Sequence, residues 1–291
     1  MNIYSEDNNL IYENVSDFDI DDILLCGQCF HFDKLGDKEY ELIAYGKYLH
    51  IKQFDNKVIL YDTSMEEHNI IWSKYFDLDN DYGKIKQAII KADERLKTAI
   101  DAKKGIRILN QEFFEMLISF IISQNKQIPH IKQIVRTISD KYGDVIKCVD
   151  GRTIHAFPTV DALNRVSVEE LRECKVGFRA PYIRDAVDKV YSGEISYEVL
   201  VGLSADEARA KLMSIKGVGE KVANCVMLFS LGFRDAFPVD VWMKRIMEYM
   251  YFGEDTDKKI IEKFAYEKFG TMSGYAQQYL FHYGRENGLG K

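Results

Sequence analysis

Between residues 23 and 62 the chain alternates apolar and polar positions or runs through β-branched and aromatic residues, as in YELIAYGKYLHIKQF and KVILYDT, with LGDKE and DNK breaking the runs. A period of two puts one face of a strand on a core and the other in water, and the breaks have turn chemistry, so this stretch predicts short antiparallel strands. From Tyr82 the period changes. In YGKIKQAIIKADERLKTAI and QEFFEMLISFIIS apolar residues recur three and four apart, the mark of a helix with one buried face. The same spacing continues through IPHIKQIVRTISDKYG, SVEELREC, PYIRDAVDKVYSG, SADEARAKLMSI, EKVANCVMLFSLG, DVWMKRIMEYMY and GYAQQYLFHYGRENG. The predicted fold class is α+β: an antiparallel β-sheet domain with a flanking helix over residues 1–100, then a mostly α-helical body over residues 101–291.

Two of these helices close on a glycine hairpin. Ser204 and Glu207 make a capping box that starts a helix running to about Ile215, and Lys216-Gly217-Val218-Gly219 separates it from the next. GVGEKVA also matches the GxGxxA dinucleotide fingerprint, with Asp240 about 20 residues on, but that fingerprint follows a β-strand and LSADEARAKLMSI has no strand pattern. Helix, two-glycine hairpin and helix instead offer backbone amides at the positive end of the second helix, a binding place for a DNA phosphate. The hairpin carbonyls also suit a monovalent cation bridging to that phosphate. Packing alone is a further explanation for such a hairpin.

Composition, with 46% hydrophobic residues and 4 prolines among 291, is that of a globular protein. The amino terminus, MNIYSEDNNLIYENVSDFDIDD, lacks a basic region followed by an apolar run, and the longest apolar run, Phe113 to Ile122, is far shorter than the roughly 20 residues that span a bilayer. A soluble cytoplasmic protein is expected, nucleoid-associated in a prokaryote. The cysteines, Cys26, Cys29, Cys148, Cys174 and Cys225, are odd in number and read as free thiols. Cys26-Gly27-Gln28-Cys29 has the spacing of a zinc or redox site, but no second ligand pair with zinc spacing accompanies it. The net charge of −7 opposes a nucleic-acid partner until its distribution is considered: residues 1–100 hold 11 basic and 20 acidic side chains, the remainder 28 and 26.

Lys221 falls in the first turn of the second hairpin helix, where the macrodipole disfavours a cation. Partial burial and a helix amino terminus both push an amine toward its neutral, nucleophilic form, although most lysines are simply solvated. Phe237-Pro238-Val239-Asp240 then sets a carboxylate at the cap of the helix beginning at Val241, where the helix end favours the ionised form; capping alone also accounts for Asp240.

Together, the hairpin, Lys221 and Asp240 19 residues later resemble the HhH-GPD (helix-hairpin-helix, Gly/Pro, Asp) superfamily of base-excision DNA glycosylases. Within it, the chain is similar over nearly its whole length to the 8-oxoguanine DNA glycosylase family. That resemblance implies a base pocket in which the Gly27 carbonyl of Cys26-Gly27-Gln28-Cys29-Phe30 reads the N7 hydrogen of 8-oxoguanine. Cys225 and Phe281 line its two faces, and Gln277, from Ala276-Gln277-Gln278-Tyr279-Leu280-Phe281, bonds the Watson-Crick edge. Asn125 of Ser123-Gln124-Asn125 fills the gap left by the extruded base, and Gly177-Phe178-Arg179-Ala180 supplies the wedge, Phe178, and the contact to the orphaned cytosine, Arg179. A filler and a wedge are needed because a base inside a duplex is out of reach of an active site. Gly217 and Gly219 hold the backbone of damaged double-stranded DNA.

By the same resemblance Lys221 attacks C1′ of the deoxyribose, a Schiff base forms, and β-elimination cuts the strand, with Asp240 stabilising the developing positive charge. Purely hydrolytic members of the superfamily lack the lysine, so its presence implies a combined glycosylase and AP lyase. The chain departs from the family at His130, where an arginine is common, and at Trp242, where a histidine often contacts phosphate. Its acidic first domain is expected to face away from DNA or to make binding salt-sensitive. No cysteine follows Cys225, so no iron-sulfur cluster is expected, nor zinc, nor a redox cofactor, and a monomer should suffice. The competing readings are an endonuclease III-like or adenine-removing glycosylase, a non-catalytic helix-hairpin-helix DNA-binding module, and a dinucleotide enzyme.

Overall fold

The computed structural model describes residues 1–290. Its amino-terminal part is a six-stranded antiparallel sheet of order β1-β2-β6-β5-β4-β3, made from β1 (Asn2–Glu6), β2 (Asn9–Glu13), β3 (Phe32–Gly36), β4 (Glu39–Ala44), β5 (Lys47–Phe54) and β6 (Lys57–Tyr61). The alternation read in the sequence sets which face is covered: Leu49, Ile51 and Gln53 of β5 and Val58 and Leu60 of β6 are buried, and Ile51 pairs with Leu60. Trp72, Tyr75 and Phe76 close this core from one side.

Three stretches ahead of the last helices differ from the sequence expectation. The acidic amino terminus forms β1 and β2, joined by Asp7 and Asn8 with φ of 47° and 63°, a two-residue turn that only short polar side chains enter readily. Ile20–Leu25 overlaps the stretch expected to be strand but is a helix, because the Asp19 side chain accepts from the amides of Asp21 and Asp22 and starts it. A small ribbon, β7 (Val145–Val149) paired with β8 (Arg152–His155), interrupts the helical body, turned by Asp150-Gly151 with both residues at positive φ.

From Tyr82 on, the helical spacing is realised as helices, among them Tyr82–Ala92, Ile128–Tyr142, Ala180–Tyr191 and Ser273–Glu286, and Lys258–Phe269 adds one not read above. No helix of the described residues is long and apolar enough to cross a membrane. At the centre lies Phe113–Ser123, buried along nearly its whole length. It runs antiparallel to the hairpin's second helix, Glu220–Ser230: the Gln111 amide donates to the Phe229 carbonyl at 2.8 Å, the Phe120 and Phe229 rings stack 5.6 Å apart, and Ser123 meets Lys221 at the other end.

Candidate active site

The hairpin forms as its sequence dictates. Ser204 and Glu207 complete the capping box of helix Ala205–Met213, and the Val218 amide donates to the Ile215 carbonyl at 3.0 Å to close the turn. The two glycines serve different ends. Gly217 has φ +79°, and a Cβ there would lie 2.3 Å from the Tyr182 ring, so packing and backbone both require glycine. Gly219 caps the second helix at φ −102°, and a Cβ there would meet nothing within 4 Å. The protein itself does not demand glycine at 219, whose amide opens the helix toward solvent.

Lys221 is half-buried two residues on. Its Nζ donates to Ser123 Oγ at 3.3 Å and lies 5.2 Å from the centre of the Phe120 ring. Ser123 Oγ in turn donates to the Phe120 carbonyl at 2.8 Å, which leaves its lone pairs turned to the amine. Asp240 caps Val241–Met247, with Oδ1 accepting from the Met243 amide at 2.7 Å, as the sequence predicts. Lys221 and Asp240 together line two adjoining spaces. One is an open cleft of about 720 Å³ bordered by Asn125, His130, Gly219 and Trp242; the other is a cavity of about 400 Å³ walled by Gly27, Phe30, Phe120 and Phe281. The amine and carboxylate therefore sit at the boundary between a groove fit for a strand and a recess fit for a flat base.

Gly27 reaches this cavity from the sheet side. Its φ is +85°, and a Cβ would approach Phe281 Cε1 at 3.4 Å and Ile128 Cδ1 at 3.6 Å. The neighbouring Gln28 is fully buried: its Nε2 donates to the carbonyls of Ile23 and Arg107, each at 2.8 Å, its Oε1 accepts from the Leu109 amide at 2.9 Å, and its carbonyl accepts from Gln111 Nε2 at 2.8 Å. This fixes the loop carrying Gly27 against the helical body. The flanking thiols are packing groups. Cys26 accepts from Gln278 Nε2 at 3.2 Å, and burial pushes its thiol up to about 12 and that of Cys29 higher still. Among the described residues no cluster of three or more His, Cys, Asp or Glu side chains is placed to hold a metal.

The remaining expected residues divide. Asn125 is exposed at φ +50°, and Phe178 projects with 59% of its surface free. Arg179, expected to contact the orphaned cytosine, is buried; its Nη1 donates to the Val176 carbonyl at 3.2 Å and its Nη2 to the Gln124 carbonyl. The Gln124 carbonyl belongs to the loop that carries Asn125, so Arg179 braces that loop, while its buried Nε has no hydrogen-bond partner. Cys225 and Gln277 are buried and do not contribute to the lining of the cavity. Cys225 lies one turn beyond Lys221, and burial lifts its thiol to about 11 despite the nearby ammonium. Gln277 keeps Oε1 without a hydrogen-bond partner, one helical turn before Phe281.

Sequence reasoning missed Arg285 and Ser123 as lining residues. Arg285 stands four residues after Phe281 on the same helix face, its guanidinium 5.5 Å from that ring, and this spacing was the available signal. Ser123 was read only as part of the segment carrying Asn125.

Comparison with known proteins bears on the whole chain. Residues 10–117 match the family described as 8-oxoguanine DNA glycosylase, N-terminal domain, and residues 118–270 match the HhH-GPD superfamily base excision DNA repair protein. A probable N-glycosylase/DNA lyase of Methanothermobacter thermautotrophicus is 31% identical over 247 residues, covering 78% of this chain and 77% of the relative. The N-glycosylase/DNA lyase of Saccharomyces cerevisiae is 37% identical over 159 residues, and that match spans 51% of this chain and 42% of the yeast protein. The crystal structure of the Clostridium acetobutylicum 8-oxoguanine glycosylase/lyase, in complex with double-stranded DNA containing cytosine opposite 8-oxoG, superposes with a TM-score of 0.95 at 42% identity over 99% of both chains.

Proposed function

The chain belongs to the HhH-GPD superfamily of base excision DNA repair proteins, with the N-terminal domain of 8-oxoguanine DNA glycosylases ahead of the superfamily domain, and from that premise we propose that it excises 8-oxoguanine from duplex DNA and then cleaves the strand as an AP lyase. The observation that carries this reading is the placement of Lys221 and Asp240 at the boundary between the open cleft and the cavity holding Gly27 and Phe281. A flipped nucleotide would present its sugar at that boundary and its base to the recess.

The residues then divide the chemistry. The Lys221 amine attacks C1′; the C1′–N9 bond breaks, and its electron pair leaves with the base, which takes up a proton. The nitrogen now bound to C1′ gives up a proton, and the C1′–O4′ bond opens with its electron pair and a proton going to O4′. The resulting iminium loses a C2′ proton and expels the 3′ oxygen with its phosphate. Asp240 lies where positive charge grows on the sugar, and its cap bond to Met243 fixes its orientation. Gly27 lines the recess from a rigid loop and is the group proposed to sense the N7 hydrogen of the oxidised base, since a wrong base would leave a buried acceptor unpaired. Gly219 and the first-turn amides would hold phosphate, with a monovalent cation at the hairpin as an additional bridge. Amine and carboxylate suffice for the reaction, so it needs no redox cofactor or metal nucleophile. All of these groups come from one chain, and a substrate of chromosomal DNA suits a cytoplasmic protein, nucleoid-associated if the source is a prokaryote.

The test is borohydride trapping on duplexes bearing 8-oxoguanine opposite each of the four bases, with wild type and Lys221→Gln. A covalent adduct that requires both the lesion and Lys221 is expected, and the yields across the four duplexes read the effect of His130 on opposite-base choice. An absence of adduct with unimpaired DNA binding by Lys221→Gln would replace the enzyme with a binding module.

A further inference from the structure

A second cleft of about 540 Å³ lies beside the hairpin, lined by Glu220 and Asn224 of the second helix rather than by Lys221. Asn224 is 1% exposed, and both ends of its amide are used: Oδ1 accepts from Arg209 Nε at 2.9 Å, and Nδ2 donates to Glu262 Oε1 at 3.2 Å. Arg209 belongs to Ala205–Met213, Asn224 to Glu220–Ser230 and Glu262 to Lys258–Phe269, so one side chain ties three helices together. Asn224 also lies one turn beyond Lys221. A buried amide bonded at both ends fixes the rotation of its helix, and that rotation sets the direction of the Lys221 amine and of the first-turn amides. None of these three residues has a part in the proposed reaction.

We propose that Asn224 is a positioning residue, which locks the hairpin's second helix through Arg209 and Glu262, and that the protonation state of Glu262 sets how firmly the lock holds. The lock itself follows from the contacts, while its consequence for DNA rests on the function proposed above.

Glu262 titrates near neutrality, pushed up to about 7 by burial and then by the Glu220 carboxylate, while Arg209, Asn224 and Lys258 pull it down. The other charged or titratable groups facing the cleft are Lys259, Lys263 and Tyr266 of its own helix, Asp206 of the hairpin's first helix and Asp235 of the loop after the second. Tyr82–Ala92, Val241–Met247 and Ser273–Glu286, packed on other sides of the Glu262 helix, contribute nothing to the cleft. In the closed arrangement burial and the Glu220 carboxylate outweigh the pull of Arg209 and Asn224, so the proton is held more tightly than in an opened one, where Glu262 returns toward its ordinary value of 4.5. By linkage the lock is strongest below that ordinary value, weakens as pH rises toward about 7, and stays weak above it.

The experiment is amide hydrogen exchange on the free protein, read on peptides covering residues 214–225 and corrected for intrinsic rates, at about pH 6 and about pH 8. Wild type should be several-fold more protected at the lower pH, and Glu262→Gln should show no difference between the two. Asn224→Ala should lose about tenfold protection at both, because Arg209 Nε and Glu262 Oε1 lose the amide that joins them, although Arg209 keeps Asp206. Affinity for a duplex carrying an abasic-site analogue should follow the same order. Wild-type protection in Asn224→Ala, or a wild-type pH response in Glu262→Gln, would overturn the lock, and the second variant carries the test alone if the first does not fold. Because exchange is read without DNA, absence of excision activity would leave this result standing, and unchanged exchange in an active enzyme would refute the lock alone.

Discussion

At the scale of single residues, Asp240 has two duties that a substitution can separate. Its carboxylate caps a helix through the Met243 amide and also lies beside the Lys221 amine at the cavity mouth. Asparagine caps a helix about as well as aspartate but carries no charge, so Asp240→Asn should change stability by less than about 1 kcal/mol. Base loss, by contrast, should slow by roughly 10²- to 10³-fold, because the developing cation on the sugar loses its counter-charge. Single-turnover excision beside thermal melting decides the matter: a large loss of melting temperature with little loss of rate would make Asp240 a cap and nothing more. Of these site residues, Lys221, Asp240 and the two glycines were legible because each carries a local oddity: a cation at a helix amino terminus, a proline-introduced cap, a paired glycine turn. The backbone bonds of Arg179 were not, because although the Val176 carbonyl lies only three residues back, that of Gln124 arrives by tertiary packing.

At the scale of elements, the hairpin stands on Tyr182, which packs beneath Gly217 and has its ring 6.0 Å from that of Phe178. Phe178 and the hairpin therefore rest on one helix, Ala180–Tyr191, and the Lys216 amide adds a bond to Asp185 Oδ2 of that helix at 2.7 Å. The glycines should respond in opposite ways to a methyl group. Gly217→Ala forces both a left-handed backbone and an overlap with Tyr182 and should cost about 2–4 kcal/mol. Gly219→Ala meets open space and should leave stability within about 1 kcal/mol, yet weaken duplex binding about tenfold or more, because its Cβ stands where a phosphate must approach the amides. Denaturant melts and duplex titrations of both variants test this, and equal losses of stability would remove the argument that position 219 is glycine for the ligand. Element type was readable wherever the apolar period was long, as from Tyr82 onward. It failed at β1, β2 and the β7–β8 ribbon, whose runs of four or five residues are too short to declare a period and depend on partners or on two-residue turns, and at Ile20–Leu25, where a single aspartate cap outweighs a short apolar run.

At the scale of the whole molecule, the site exists only because two bodies are fastened together. Leu109 joins the core of the sheet, while Tyr82, Ile85, Ile89 and Leu96 join that of the helices, so the chain crosses the seam more than once. Strand alternation says nothing about such a crossing, which is why the sequence marks the Gly27 loop as chemistry without showing what holds it opposite Phe281. Gln28 is that fastening: one side chain satisfies the Ile23 and Arg107 carbonyls and the Leu109 amide, all out of reach of water. Gln28→Ala leaves the Arg107 carbonyl and Leu109 amide unpaired and the Ile23 carbonyl with only the weak Cys26 thiol donor, and should cost about 3–5 kcal/mol, or roughly 6–10 °C in melting temperature for a chain of this size. Below its melting temperature the variant should still cleave preformed abasic sites, since Lys221 and Asp240 lie wholly in the helical body, but excise 8-oxoguanine poorly, because Gly27 is no longer held in the cavity wall. Equal loss of both activities in folded protein would mean that the seam shapes the lysine's surroundings as well as the base recess, and unchanged excision would mean that Gly27 needs no such anchor.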